Sequence, residues 1–329
     1  MPTNISVNRS CCDLPTIELD SDWFHATVLP HVGGKIYDLV WKPSQNHLLW
    51  QNPRIEPQTY PIESNFDDYW CGGWDEGFPT CEPCEYRGEK YPILGELRSL
   101  KWKVAGTESD ADGCSAKLST FGPISPVQVE KTVTLADHQP VLRMNYKITN
   151  LGPMPMDFVW GTHPALRVTK HMVMRIPAQI GIVGLATDPQ FGTPGQKYDW
   201  PNLPTSTGTT DMSRVQGIDA KLAGGHFAMD LEEGWYAVED TLSGEGFLLK
   251  FPLEKCPHLW MWLVYGGWRG YHHIVIEPWT SYPINLAEAI KQNTQRVLQP
   301  QEVFSVEVLA TVFTRDEGLA GGLKRLQAS

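Results

Sequence analysis

Apolar and polar residues alternate with a period of two along much of this chain. From Val141 to Asn150, Leu142, Met144, Tyr146 and Ile148 fall on one face and Arg143, Asn145, Lys147 and Thr149 on the other. Val127, Val129, Val133 and Leu135 share a face in the same way, and Ala136–Pro140 has the composition of the hairpin loop joining the two. Phe304, Val306, Val308, Ala310 and Val312 form a third such face. This period marks half-buried antiparallel strands. Phe24–Leu29, Lys35–Trp41, Met156–Trp160, Phe247–Phe251, Leu259–Val264 and Ile274–Ile276 read as further strands. Helical signals are few: Leu286–Asn293 as a short helix or turn, and Glu317–Gln327 as a terminal helix within the tail at 314–329.

The 29 glycines and 26 prolines are spread along all 329 residues, which suits many short strands joined by turns. Residues 188–217 are rich in Pro, Gly, Thr and Ser without periodicity and read as a long surface loop. No repeat or linker is visible. One large all-β domain, a sandwich of antiparallel sheets over residues 1–329 with an N-terminal extension at 1–15, is the expectation.

Net charge is −11 and no basic block stands out, which argues against a nucleic-acid partner. No apolar run approaches the length of a membrane span. Met1–Asp13 lacks the basic start and apolar core of a signal peptide. With seven cysteines, an odd number, this points to reduced thiols in a cytoplasm. Cys81-Glu82-Pro83-Cys84 has C-x-x-C spacing, but a zinc site wants a second pair and a thioredoxin-like motif a following amphipathic helix.

Chemistry concentrates at two places. Ile274–Ile276 is followed by Glu277 and Pro278, so a carboxylate stands at the end of a buried strand. Val159-Trp160-Gly161-Thr162-His163-Pro164 brings a histidine to a similar point. Either alone equally fits a turn or capping residue. An imidazole and a carboxylate at two strand ends together make a candidate acid/base pair. A third block, Tyr69–Thr80, sets Trp70 and Trp74 beside Asp75 and Glu76 among glycines. Aromatic faces stack on the C–H faces of sugars and carboxylates accept from their hydroxyls. Thirteen tryptophans lean the same way, Trp160 and Trp279 among them.

The ordered set Gly33-Gly34-Lys35-Ile36, Gly72–Pro79, Gly95–Trp102, Thr162-His163-Pro164 and Ile276-Glu277-Pro278 resembles the aldose 1-epimerase (galactose mutarotase-like) family, from about residue 23 to residue 313. The resemblance implies a large antiparallel β-sandwich and interconversion of the α and β anomers of a free aldose. It implies His163 as general acid at the ring oxygen, Glu277 as general base on the anomeric hydroxyl, and Arg54 as a contact to sugar hydroxyls. Trp74, Asp75, Glu76, Trp160 and Trp279 complete the expected sugar site. No cofactor or metal is called for, since two positioned groups can remove one proton and deliver another. The family commonly carries a second histidine where this chain has Leu94. That departure keeps a non-catalytic sugar-binding module in view beside the enzyme, with His31, His258, His272 and His273 as substitutes for the missing group.

Overall fold

The computed structural model describes residues 4–329, with the side chains at 8–10 excepted. Residues 1–3 of the expected N-terminal extension lie outside the described residues. The chain folds as two compact units, residues 1–163 with 279–309, and residues 164–278 with 310–329. The chain leaves the first unit after His163 and re-enters it at Trp279, so the passage falls inside strands and no linker composition marks it.

In the first unit, Asn4–Cys11, Leu14–Asp20, Phe24–Leu29 and Lys35–Trp41 pair in sequence as antiparallel neighbours. Within the expected N-terminal extension, residues 4–11 and 14–15 are strand. Trp74–Gly77 joins this sheet where Trp74 meets Ile36. A second sheet is the meander Lys103–Ser109, Gly113–Phe121, Val127–Ala136 and Leu142–Asn150. The predicted hairpin has Leu135 opposite Leu142. Ile17, Leu19, Ala26 and Val28 of one sheet and Ala116, Leu118, Val133 and Leu135 of the other are fully buried, the inner faces that the alternation encodes.

This apolar core encloses an ion pair. Glu76 accepts hydrogen bonds from Lys131 Nζ and from the Tyr146 hydroxyl, each at 2.7 Å. Burial pushes the Glu76 carboxyl above its ordinary pKa, and Lys131 and Tyr146 pull against that rise. The Lys131 ammonium also lies over the Trp102 and Tyr146 rings.

In the second unit, Ala178–Ala186, Leu222–Leu231 and His258–Tyr265 pair antiparallel in that spatial order, and His272–Trp279 lies beside the last of them. Met172–Arg175, Trp235–Asp240 and Gly246–Lys250 form another antiparallel set. The helix Gly318–Ala328 packs on it, with Lys250 Nζ donating to Leu326 O at 2.9 Å. In the first unit, Leu286–Gln292 is the expected short helix, capped by the Asn285 side chain, which accepts from Glu288 N.

Three expectations change. The segment 188–217 is not a plain loop: it holds a 3-10 turn Pro189–Phe191, a strand Lys197–Asp199, and a hairpin Asn202–Thr205 with Gly208–Asp211. Single apolar anchors, Phe191, Leu203 and Met212, are buried in place of a periodic face. Glu277 and Pro278 do not end their strand, which runs on to Trp279. His163 and Pro164 likewise stand inside the strand Gly161–Leu166. Proline removes one donor, but its fixed φ does not prevent extended backbone.

Lys131→Met would leave the Glu76 carboxylate buried without its cation. Urea unfolding is expected to show a loss of about 3–5 kcal/mol, and replacing both partners with apolar residues to recover most of it. A loss within experimental error for the single variant would contradict the role given to this pair.

Candidate functional site

Trp74–Gly77 is short, yet its alternation sorts the expected sugar site onto two faces. Trp74 and Glu76 point to the side that Thr162 and Tyr146 occupy. The Trp74 indole N–H donates to the Thr162 hydroxyl, and Glu76 is held by Lys131 and Tyr146. Trp160 packs tilted against Tyr146 at 5.1 Å between centroids and belongs to the same buried layer. Asp75 and Gly77 point the other way, with Gly161 and His163 of the neighbouring segment.

On that second face Asp75 is the electrostatic centre. Its carboxylate takes Lys35 Nζ at 2.9 Å and the Trp70 indole N–H at 3.2 Å. Lys35 also donates to Gly72 O at 2.9 Å and to Cys71 Sγ at 3.6 Å. Gly72 and Gly73 both have φ +85, so the chain can turn back tightly enough to bring that carbonyl to the ammonium. Burial alone would push the Lys35 pKa down; the Asp75 charge, with Cys71 and Tyr60, more than reverses this and holds it above the ordinary value. Both members are 1% exposed, so the pair is a fixed buried dipole.

His163, 6% exposed, sits beside this pair. Its ring meets Trp70 edge-on at 5.4 Å and Phe66 at 6.1 Å. Phe66 is braced in turn by the buried Arg98 guanidinium, which lies over the Phe66 and Tyr60 rings and donates to Ile93 O and Ser64 O. Burial drives the His163 pKa down to about 4; Asp75 pulls it up and Lys35 pushes it further down. The imidazole is therefore uncharged at neutral pH, able to donate from one nitrogen and accept at the other.

Trp279 closes the same part of the first unit. A Cβ on Gly77 or on Gly161 would stand 2.3 Å from its ring, so the indole lies flat where both residues lack side chains. Leu94, buried and at φ +57, is packed here too: its Cδ2 is 3.3 Å from where a Cβ of Gly77 would be. Arg54 is exposed on a turn in which its N–H donates to Asn52 Oδ1 at 3.0 Å.

Glu277 belongs to the second unit. It is 1% exposed on the strand His272–Trp279. Its charge adds to burial in raising the pKa of the Tyr236 hydroxyl. By the period of two, His273 and Val275 share its face. The His273 ring meets Trp268 at 6.4 Å, and Trp268 meets Trp262 at 5.9 Å.

The structure thus assembles His163, Asp75 and Trp279 in one part of the first unit and assigns Trp74, Glu76 and Trp160 to the layer behind. Lys35, Phe66, Trp70 and Arg98 shape the surroundings of His163; of these Trp70 stands out from sequence as a flat face in the Tyr69–Thr80 block, and none was expected to confine the histidine. Only a lysine opening an apolar strand, Gly33-Gly34-Lys35-Ile36, hinted at the ion pair. Cys81 and Cys84 are not joined in a disulfide. Among the described residues no group of three or more His, Cys, Asp or Glu is placed to hold a metal ion. Nor is any helix among them long and apolar enough to cross a membrane.

No family model and no curated protein matches the chain by sequence. Solved structures do match. A proposed aldose 1-epimerase from Klebsiella pneumoniae superposes with a TM-score of 0.74 at 14% identity, over 99% of this chain and 87% of that one. A galactose mutarotase-like protein from Clostridium acetobutylicum gives 0.68 at 16% identity, over 95% and 99%. A Synechocystis protein gives 0.68 at 20% identity, over 94% and 99%. With its large antiparallel sheets and near-complete coverage of these structures, the chain has the galactose mutarotase-like β-sandwich fold.

Proposed function

We propose that the protein is an aldose 1-epimerase-like isomerase that interconverts the α and β anomers of a free hexose. The observation that carries this reading is the buried, uncharged imidazole of His163, fixed by two aromatic rings beside the Lys35–Asp75 pair. A catalytic group held in one orientation loses little entropy on reaching its reaction geometry.

In this mechanism Glu277 takes the proton from the anomeric O1–H. As the C1–O1 bond gains carbonyl character, the C1–O5 bond breaks and electron density moves to O5. His163 hydrogen-bonds O5 through its N–H and supplies the proton there. Rotation about C1–C2 presents the other face of the aldehyde. On ring closure O5 attacks C1 and returns its proton to His163, while Glu277 returns its proton to O1 of the opposite anomer. A neutral imidazole is a workable electrophile for such a step when its pKa is depressed. Arg54 is assigned to sugar hydroxyls; Asp75 and Trp279, both buried, are assigned to holding the surroundings of His163, and Trp74, Glu76 and Trp160 to the layer behind. Cysteines that form no disulfide among the described residues fit a reducing cytoplasm.

Leu94 favours one second reading, a sugar-binding module without turnover. An apolar side chain beside Gly77 and Trp279 offers no hydrogen bond where a histidine would.

Glu277→Gln and His163→Ala are each expected to lower catalysed mutarotation of α-D-glucose or α-D-galactose by about 100-fold or more, with unchanged circular dichroism. Wild-type rates in both variants would end the isomerase reading, and sugar binding without any rate enhancement in the wild type would favour the binding module.

The pH profile gives a separate check. A histidine acting as imidazolium with an ordinary pKa of about 6.5 would make kcat/KM fall as pH rises through that value. With the His163 pKa at about 4, no such fall is expected between about pH 5 and 8, and any limb from this group lies near pH 4. A descending limb centred near 6.5 that disappears in His163→Ala would contradict the neutral imidazole.

A further inference from the structure

Trp260 is one of the thirteen tryptophans that lean toward carbohydrate, but it was not assigned to the expected sugar site. It lies on the strand His258–Tyr265 of the second unit, and its side chain is half-buried. A Cβ on Gly225 would stand 2.0 Å from its ring, and one on Gly184 would stand 2.6 Å away. Both glycines are within strands, where a missing side chain weakens the sheet and often marks close approach of another group. Here they let the indole lie flat on the sheet, across two neighbouring strands. Phe227 braces it, with centroids 4.5 Å apart and planes at 49°.

The position of this ring relative to Glu277 follows from the turn that joins their strands. Gly266 N–H donates to Tyr271 O at 2.8 Å, which sets those two residues opposite each other. The flanking strands His258–Tyr265 and His272–Trp279 are eight residues each and neighbours in the sheet. The Tyr265 and His272 rings, next along this register, are 6.0 Å apart. Continuing the register puts Val264 opposite His273, Trp262 opposite Val275, and Trp260 opposite Glu277. Directly opposed residues share a face, with Cβ atoms about 5 Å apart. The contact of Trp262 with Trp268, and of Trp268 with His273, agrees with this assignment of faces.

We infer that Trp260 is the stacking platform for the substrate, receiving the C–H face of a neutral aldohexopyranose whose anomeric edge lies at Glu277. This rests on the isomerase reading for the role of Glu277, and it adds the residue that sets affinity and orientation. A pyranose carries its hydroxyls around the rim and presents C–H groups on a face. A flat indole stabilises that face by dispersion and by attraction between its negative π cloud and the polarised C–H groups. The ring extends from its own strand over Gly225 toward Gly184, on the side away from Glu277, so a sugar whose C1 lies at the carboxylate rests its far end on the indole. An aromatic floor of this kind selects for a sugar with an unbroken C–H face and discriminates by KM more than by kcat.

The test titrates D-glucose and D-galactose against wild type, Trp260→Ala, Trp260→Phe and a distal control, Trp23→Phe. Binding is read by ligand-observed saturation-transfer NMR and turnover by NMR anomer exchange, with thermal melts as the check on folding. Trp260→Ala is expected to raise Kd and KM about tenfold and change kcat less. Trp260→Phe, which keeps a smaller ring and carries the test if the alanine variant fails to fold, is expected to raise them by less, and Trp23→Phe to leave them unchanged. Wild-type Kd and KM in both Trp260 variants overturn the platform. Sugar binding that needs Trp260 without turnover in the wild type keeps the platform and removes the isomerase; turnover with unchanged KM in both Trp260 variants does the reverse. Neither binding nor turnover in the wild type overturns both.

Discussion

The Lys35–Asp75 ion pair is the constraint on which the first unit's chemistry depends. Two charges 2.9 Å apart and each 1% exposed are tolerable only because the remaining hydrogen-bonding capacity is used: Asp75 also takes the Trp70 indole, and Lys35 also reaches Gly72 O. These bonds tie the Lys35–Trp41 and Trp74–Gly77 strands to the Gly72–Gly73 turn. They also fix Trp70, one of the two rings that confine His163. The pair acts on His163 with opposing signs, Asp75 favouring the charged imidazole and Lys35 disfavouring it, and burial decides the outcome. Geometry and protonation state at His163 thus come from the same small set of contacts.

A second device recurs. Trp279 lies flat over Gly77 and Gly161, and Trp260 over Gly225 and Gly184. In each case two strand glycines give up side-chain packing so that one large ring can cover them. Trp279 is fully buried and Trp260 is half-buried, so the same arrangement serves as filler in one place and leaves a ring edge and face for a ligand in the other.

The alternating strands were legible because one buried face leaves a period of two in the sequence. Val127–Ala136 and Leu142–Asn150 show it residue by residue, and Phe24–Leu29 and Lys35–Trp41 fall at the bounds read from sequence. Residues 188–217 were not legible, because their strands are three or four residues long and anchored by single apolar side chains. The passage between the two units was hidden because it occurs within strands. At the site, residue types near His163 and Glu277 were visible, but not the faces they occupy. Trp74, Asp75 and Glu76 are adjacent in sequence, yet only Asp75 lies on the His163 side. Glu76 pairs with Lys131, 55 residues away, a partner that local pattern cannot reveal.

The most direct single measurement is an NMR titration of the His163 imidazole, assigned with His163→Gln, in the absence and presence of saturating α/β-D-galactose or D-glucose. The account predicts a neutral ring from about pH 5 to 8 in the free protein, and a shift of its N–H resonance when an aldose arrives at the ring-oxygen position. A free-protein titration centred near the ordinary value of about 6.5, or a His163 resonance indifferent to every aldose, would contradict it.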